Sequence, residues 1–82
     1  MRKIYQIAEE IEMDWKNISP YAKPYLDAMH SLTSVRENYI LDSGSEIVAY
    51  FLSNASGWRG DNARRIKKEL NDALAECRRN RG

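Results

Sequence analysis

The 82-residue sequence predicts an all-α fold, a compact bundle of three to four helices in a single domain spanning 1–82. Three observations carry that reading. Apolar residues recur at steps of three and four through most of the chain, the spacing that gives a helix one buried face. Glycine (4) and proline (2) are scarce and stand at or between the periodic stretches, where they act as boundaries. Serine and aspartate sit where those stretches begin, as helix caps do.

The first helix is predicted over 2–17. Ile4, Ile7, Ala8, Ile11, Trp15 and Ile18 form its stripe, and Glu9, Glu10, Glu12, Asp14 and Lys16 form a solvated face. Ser19-Pro20 then supplies a stop and a new start. Pro24 complicates the second helix, because a helix opening at Pro20 would press the Pro24 ring against the carbonyl of residue 20. Residues 20–23 therefore read as an irregular turn or a loose first turn, ahead of a helix over 24–33 carrying Tyr25, Leu26, Met29 and Leu32. Residues 35–41 are ambiguous: Tyr39-Ile40-Leu41 either closes that helix or is an extended connector.

Ser43-Gly44-Ser45-Glu46 has the capping-box pattern. It opens a third helix over 43–55, apolar nearly all round and so placed at the centre of the fold. Its β-branched and aromatic pairs would also suit a strand, but the capping box decides for helix. At 54–57 the chain reads as a helix end closed by Gly57 in the left-handed conformation, and Asp61 reads as the cap of the next helix. That fourth helix, 61–78, places Ala63, Ile66, Leu70, Ala73, Leu74 and Cys77 on one face. Arg65–Glu69 and Lys68–Asp72 are i,i+4 pairs. A cationic tail over 78–82 is expected to fray.

Several function classes are excluded or weakened by composition. Cys77 is the only cysteine, so no internal disulfide forms, and a structural zinc site is not expected. No run approaches the ~20 apolar residues that span a bilayer, and residues 1–15 lack the uninterrupted apolar stretch of a signal peptide. The expectation is a cytoplasmic protein with no membrane contact. The net charge of +1 conceals an asymmetry. Residues 1–58 hold five Lys/Arg against eight Asp/Glu, and residues 59–82 hold eight against four.

Catalytic signals are thin. His30 is the sole histidine, forty-seven residues from Cys77, and nothing local marks a nucleophile–base pair. Asp27 and His30 are placed to share a helix face, a common arrangement that is weak as an acid–base or metal motif. The GWRG stretch lacks the spacing and the Lys-Ser/Thr of a phosphate loop. We therefore expect no enzyme activity, no catalytic residues, no cofactor and no metal.

Binding is better supported. Five tyrosines and two tryptophans are many for so short a chain, and exposed Tyr, Trp and Arg dominate binding hot spots. Tyr21 and Tyr25, around a proline-constrained turn, together with Trp58 and Arg59, are the candidate protein-contact residues. The alternative is nucleic-acid binding through the fourth helix, with Arg64, Arg65, Lys67 and Lys68 on phosphates and Trp58 stacked on a base. Asp61, Glu69, Asp72 and Glu76 interrupt that patch, and the pI near 7.9 lies below that of a dedicated nucleic-acid binder. Core filling is the competing role for each tyrosine. For Trp58, packing onto Phe51 or Ile66 competes with pointing outward beside Arg59. A chain this small also invites homo-oligomerisation.

The strings DWKNISPYAKPYLDAM (14–29), DSGSEIVAYFLSN (42–54) and GWRGDNARRIKKELNDAL (57–74) together resemble small proteins, without assigned activity, of phages, prophages and other mobile elements of Gram-positive gut bacteria. The resemblance implies a compact cytoplasmic accessory protein and carries over no catalytic residues. Short phage proteins of this kind commonly bind and block a host macromolecular complex, anti-CRISPR inhibitors of bacterial defence among them. The expectation is thus a non-enzymatic binder of a host protein complex.

Overall fold

A computed structural model describes residues 2–36, 38–39 and 42–79. Four helices make up the fold: α1 (Ile4–Asp14), α2 (Lys23–Met29), α3 (Gly44–Ser53) and α4 (Asp61–Arg79). The two-residue strands β1 (Asn38–Tyr39) and β2 (Asp42–Ser43) pair antiparallel between α2 and α3, with Asn38 opposite Ser43 and Tyr39 opposite Asp42. Residues 38–39 are therefore the extended connector and not the end of a helix. Ile40 and Leu41 lie outside the described residues, as do residues 80–82 of the expected tail. The bundle is all-α apart from this one short ladder.

The helices close on one core. α2 packs most extensively against α3, while α4 lies against both α1 and α3. The buried stripe of α1 (Ile4, Ile7, Ala8, Ile11) meets Leu26 and Met29 of α2, Ile47, Val48 and Phe51 of α3, and Ala63, Ile66, Leu70, Ala73 and Leu74 of α4 in a single apolar cluster. Among the described residues no polar or charged side chain is buried. A radius of gyration of 11.8 Å is close to the ~12 Å expected for this length.

The helix boundaries have identifiable causes, some local and one supplied from across the fold. At the start of α1 the Gln6 side chain accepts from the Lys3 N–H at 3.0 Å. The N–H groups of Ile4 and Tyr5 donate to the carbonyls of Thr33 and Leu32, so the chain after α2 satisfies donors that a helix start leaves open. α1 ends at Asp14, three residues before the expected end. The apolar stripe continues through Trp15 and Ile18, but those side chains reach the core from a turn and not from helix. Trp15 is already extended (φ −94°, ψ 93°), with its N–H bonded to Ile11.

Ser19 organises the next start. Its hydroxyl accepts from the Tyr21 N–H, and its carbonyl accepts from Ala22 and Lys23. α2 begins at Lys23, so Pro24 falls in the first turn, where its missing N–H costs nothing. Residues 20–22 are the irregular turn. α2 also stops earlier than expected: His30, Ser31 and Leu32 donate to the carbonyls three residues back, the tighter winding that often finishes a helix.

Ser43 caps α3 as predicted, with its hydroxyl 3.2 Å from the Glu46 N–H and 3.0 Å from the Glu46 carboxylate. The segment is helix and not strand. It is not enclosed on all sides, however, since Tyr50 is 45% exposed. The left-handed glycine is Gly60 (φ 115°) and not Gly57. The Gly60 carbonyl accepts from Arg64, so Gly60 is the cap of α4 and Asp61 is the first helical residue.

Candidate functional site

Two aromatic regions are candidates for contact, and the structure separates them. Trp58 is 2% exposed. Its ring stacks on Trp15 (centroids 5.8 Å apart, planes at 12°), and both rings meet the edge of Phe51 at 6.2–6.4 Å. The indole N–H donates to Asp14 at 2.8 Å. The second Asp14 oxygen accepts from the Asn62 amide at 3.0 Å, which joins the ends of α1 and α4 beneath the turn. These donors, Asn62 first and then Trp58, hold the Asp14 carboxyl below the usual aspartate range.

Lys67 completes the joint. Its ammonium donates to the carbonyls of Ala55 (2.8 Å) and Trp58 (2.6 Å) and lies 5.7 Å from the Trp58 ring centre. Desolvation, and then the nearby charge of Arg59, lower its pKa. Trp58 is therefore corrected from a contact residue to a core residue, because an indole enclosed by its neighbours cannot stack on a base or dock on a partner. Two of the three Lys67 donors are engaged by the turn, which leaves one N–H for any contact outside it.

The tyrosines behave differently. Tyr21 is 75% exposed. Tyr25, half-buried against the core, meets Tyr50 of α3 with centroids 5.4 Å apart. Charged pairs lie on the same elements: Lys23 bonds Asp27 at 2.6 Å, and Lys23 and His30 reach Glu12 of α1 at 4.0 and 2.9 Å. His30 thus pairs with Glu12 and not with Asp27. Met13, next to Glu12, is a further exposed apolar side chain.

The basic face of α4 is more engaged than its sequence suggests. Arg64 pairs with Asp61 at 3.2 Å and Lys68 with Asp72 at 2.9 Å. Arg65 binds Glu10 of α1, and the two oxygens of Glu69 accept from Nε and one terminal nitrogen of Arg2. The expected Arg65–Glu69 pair is replaced by a network across the two helices, because Arg2 also bonds Glu10. Arg2, followed by Arg65, holds the Glu10 carboxyl below the usual glutamate range. Arg59 is exposed with no ion pair among the described residues.

A cleft of about 370 Å³ lies between the start of α1, residues 33–36 and the later turns of α4, with Lys3, Arg36, Glu76 and Cys77 on its walls. His30 is not among its lining residues. Among the described residues no three His, Cys, Asp or Glu side chains gather to hold a metal ion, and no helix is long and apolar enough to cross a membrane. Comparison with protein-family models, with curated proteins and with solved structures finds no match.

Asp14, Asn62, Glu12 and Arg2 carry no signal in the sequence. Their partners lie far along the chain, forty-four residues away for Asp14–Trp58 and sixty-seven for Arg2–Glu69, and no local spacing marks such pairs.

Proposed function

We propose that this chain is a non-enzymatic binding protein, of the accessory kind that phages and mobile elements carry, which docks on a host protein complex and blocks or modulates it. A bacterial defence nuclease is the leading target class, an anti-CRISPR-like action. The observation that supports this reading is the outward tyrosine surface. Tyr21 and Tyr50 stay exposed while Trp15, Trp58 and Phe51 fill the interior. Tyrosine offers a large, rigid, amphipathic contact at low entropic cost, and Tyr25 braces Tyr50 from behind.

The test is affinity capture from the bacterial host with the whole chain and with Tyr21→Ala/Tyr50→Ala, alongside phage plating on a strain with active defence. The expected result is one host complex retained by the wild type and lost by the double variant, with the protection phenotype lost in parallel and helicity unchanged. Equal retention by both proteins, or no specific retention by the wild type, overturns the reading. Light scattering in the same series shows whether the tyrosines instead join two copies of the chain.

Nucleic-acid binding through α4 is the second reading, favoured by the exposed Arg64 and Lys68. Asp61 and Asp72 beside them weaken it. A mobility-shift titration at low salt with Arg64→Glu/Lys68→Glu decides it: the reading requires a shift that the variant loses.

A further inference from the structure

The turn that buries Trp58 leaves a pocket on its outer side. It has a volume of about 240 Å³ and is lined by Trp58, Arg59, Gly60, Ala63, Arg64 and Lys67. Three of the six lining residues are cationic and none is acidic. Asp14 is committed to the Trp58 indole and Asn62; Asp61, its side chain 99% exposed, pairs with one nitrogen of Arg64 in solvent, a contact an entering anion must compete with. Arg59 has no ion pair among the described residues. Lys67 sits over the turn with one N–H beyond the two it gives to carbonyls.

We propose that this pocket is an oxyanion site that takes a phosphate group between the Arg59 and Arg64 guanidinia and the Lys67 ammonium. Like charges gathered in a concave, partly desolvated place repel one another unless an anion joins them. The lowered pKa of Lys67, caused first by desolvation and then by Arg59, reflects both conditions in the free protein. Guanidinium forks suit a tetrahedral oxyanion because they offer parallel N–H pairs, and Lys67, in the pocket wall, adds a point charge. The pocket reads phosphate alone, since the one ring in its wall is buried and presents no face for a base. The phosphate has two available sources, a free phosphate or nucleotide and the backbone of a single-stranded nucleic acid. The site shares no residue with the tyrosine surface and does not depend on it.

The experiment is a ¹H–¹⁵N titration of the full chain with inorganic phosphate at constant ionic strength, chloride being the control anion. The expected result is a saturable shift of the Gly60 amide and the Trp58 indole N–H with phosphate and not with chloride. Arg59→Gln and Arg64→Gln, both at exposed side chains, should each weaken binding about tenfold, the effect of one charge-assisted hydrogen bond. A single-stranded oligonucleotide is the second arm. Tighter, Arg59-dependent binding of the oligonucleotide identifies the source as a nucleic-acid backbone, and a response to phosphate or nucleotide alone identifies a small molecule. Stationary Gly60 and Trp58 signals, or shifts that persist when Arg59→Gln and Arg64→Gln are combined, overturn the site.

Discussion

The turn around Trp58 and the turn around Tyr21 look alike as sequence. Each places an aromatic residue within two positions of a basic one, between residues that break helices. In the fold they are opposites. Trp58 is sealed and its N–H is bonded, whereas Tyr21 is mostly in water. The difference lies in what surrounds each ring. Trp58 arrives where Trp15 and Phe51 leave an aromatic slot and where a carboxylate at the end of α1 accepts its single donor. Tyr21 sits on a turn fixed by Ser19 just ahead of α2, and its ring lies mostly in water. An aromatic residue in a turn becomes core when the fold supplies both an apolar wall and a polar partner, and it stays available for contact when the fold supplies neither.

Removing the sealed ring should break the comparison most strongly. Trp58→Ala is expected to cost about 3–5 kcal/mol, most of the stability of so small a domain, read as a collapse of the urea midpoint. Lys67→Met leaves the Ala55 and Trp58 carbonyls without their shared donor and should cost about 1–3 kcal/mol, with the amides of 55–60 losing hydrogen-exchange protection first.

Acid sharpens the contrast. Asp14 and Glu10 are held below their ordinary values of 3.8 and 4.5, so each stabilises the fold above those values and loses that contribution as pH falls through its folded-state pKa. Tryptophan fluorescence should therefore report loosening of the joint only in that acid window, and Asp14→Asn should flatten the Asp14 part of the profile. Lys67 shifts in the same direction, so its stability slope has the same sign, but here the charged form is the one that opposes folding. Its lowered pKa opposes folding while it is charged, a penalty relieved as pH rises through its folded value toward 10.5. The smallest effect belongs to Tyr21→Ala, expected within about 0.5 kcal/mol of wild type in a denaturant titration. A larger loss would mean that the open region carries fold and not contact.

The helices are legible in the sequence because their evidence is periodic and local. The stripe of α4 and the Ser43 cap of α3 both appear as read. Boundaries slip where a turn satisfies the same spacing. Trp15 and Ile18 continue the stripe of α1 without continuing its helix, and the glycine needed in the left-handed conformation is the one that opens α4 and not the one that follows α3. At Gly60 an added Cβ would meet nothing within 4 Å, so the requirement is on the backbone alone. Of the tyrosines, Tyr21 is exposed on the proline-constrained turn that marks it as a contact candidate, whereas Tyr50 is exposed on a helix whose sequence is apolar nearly all round. The fate of Trp58, Lys67 and Arg65 cannot be named from sequence, because each is decided by a partner elsewhere in the fold.

The clasp of Arg2 and Arg65 on Glu10 and Glu69 has a consequence for the order in which the molecule assembles. The face of α1 that belongs to α4 has no partner until the last helix has been synthesised. α2 and α3, near neighbours along the chain, can meet early, whereas Glu10 of α1 must wait for Arg65, fifty-five residues downstream. Closing so long a loop is slow compared with winding a helix. The bundle should therefore lock in a late step in which the joint and the clasp form, and a ribosome-bound chain lacking α4 would hold α1 against α2, with its Glu10 face open.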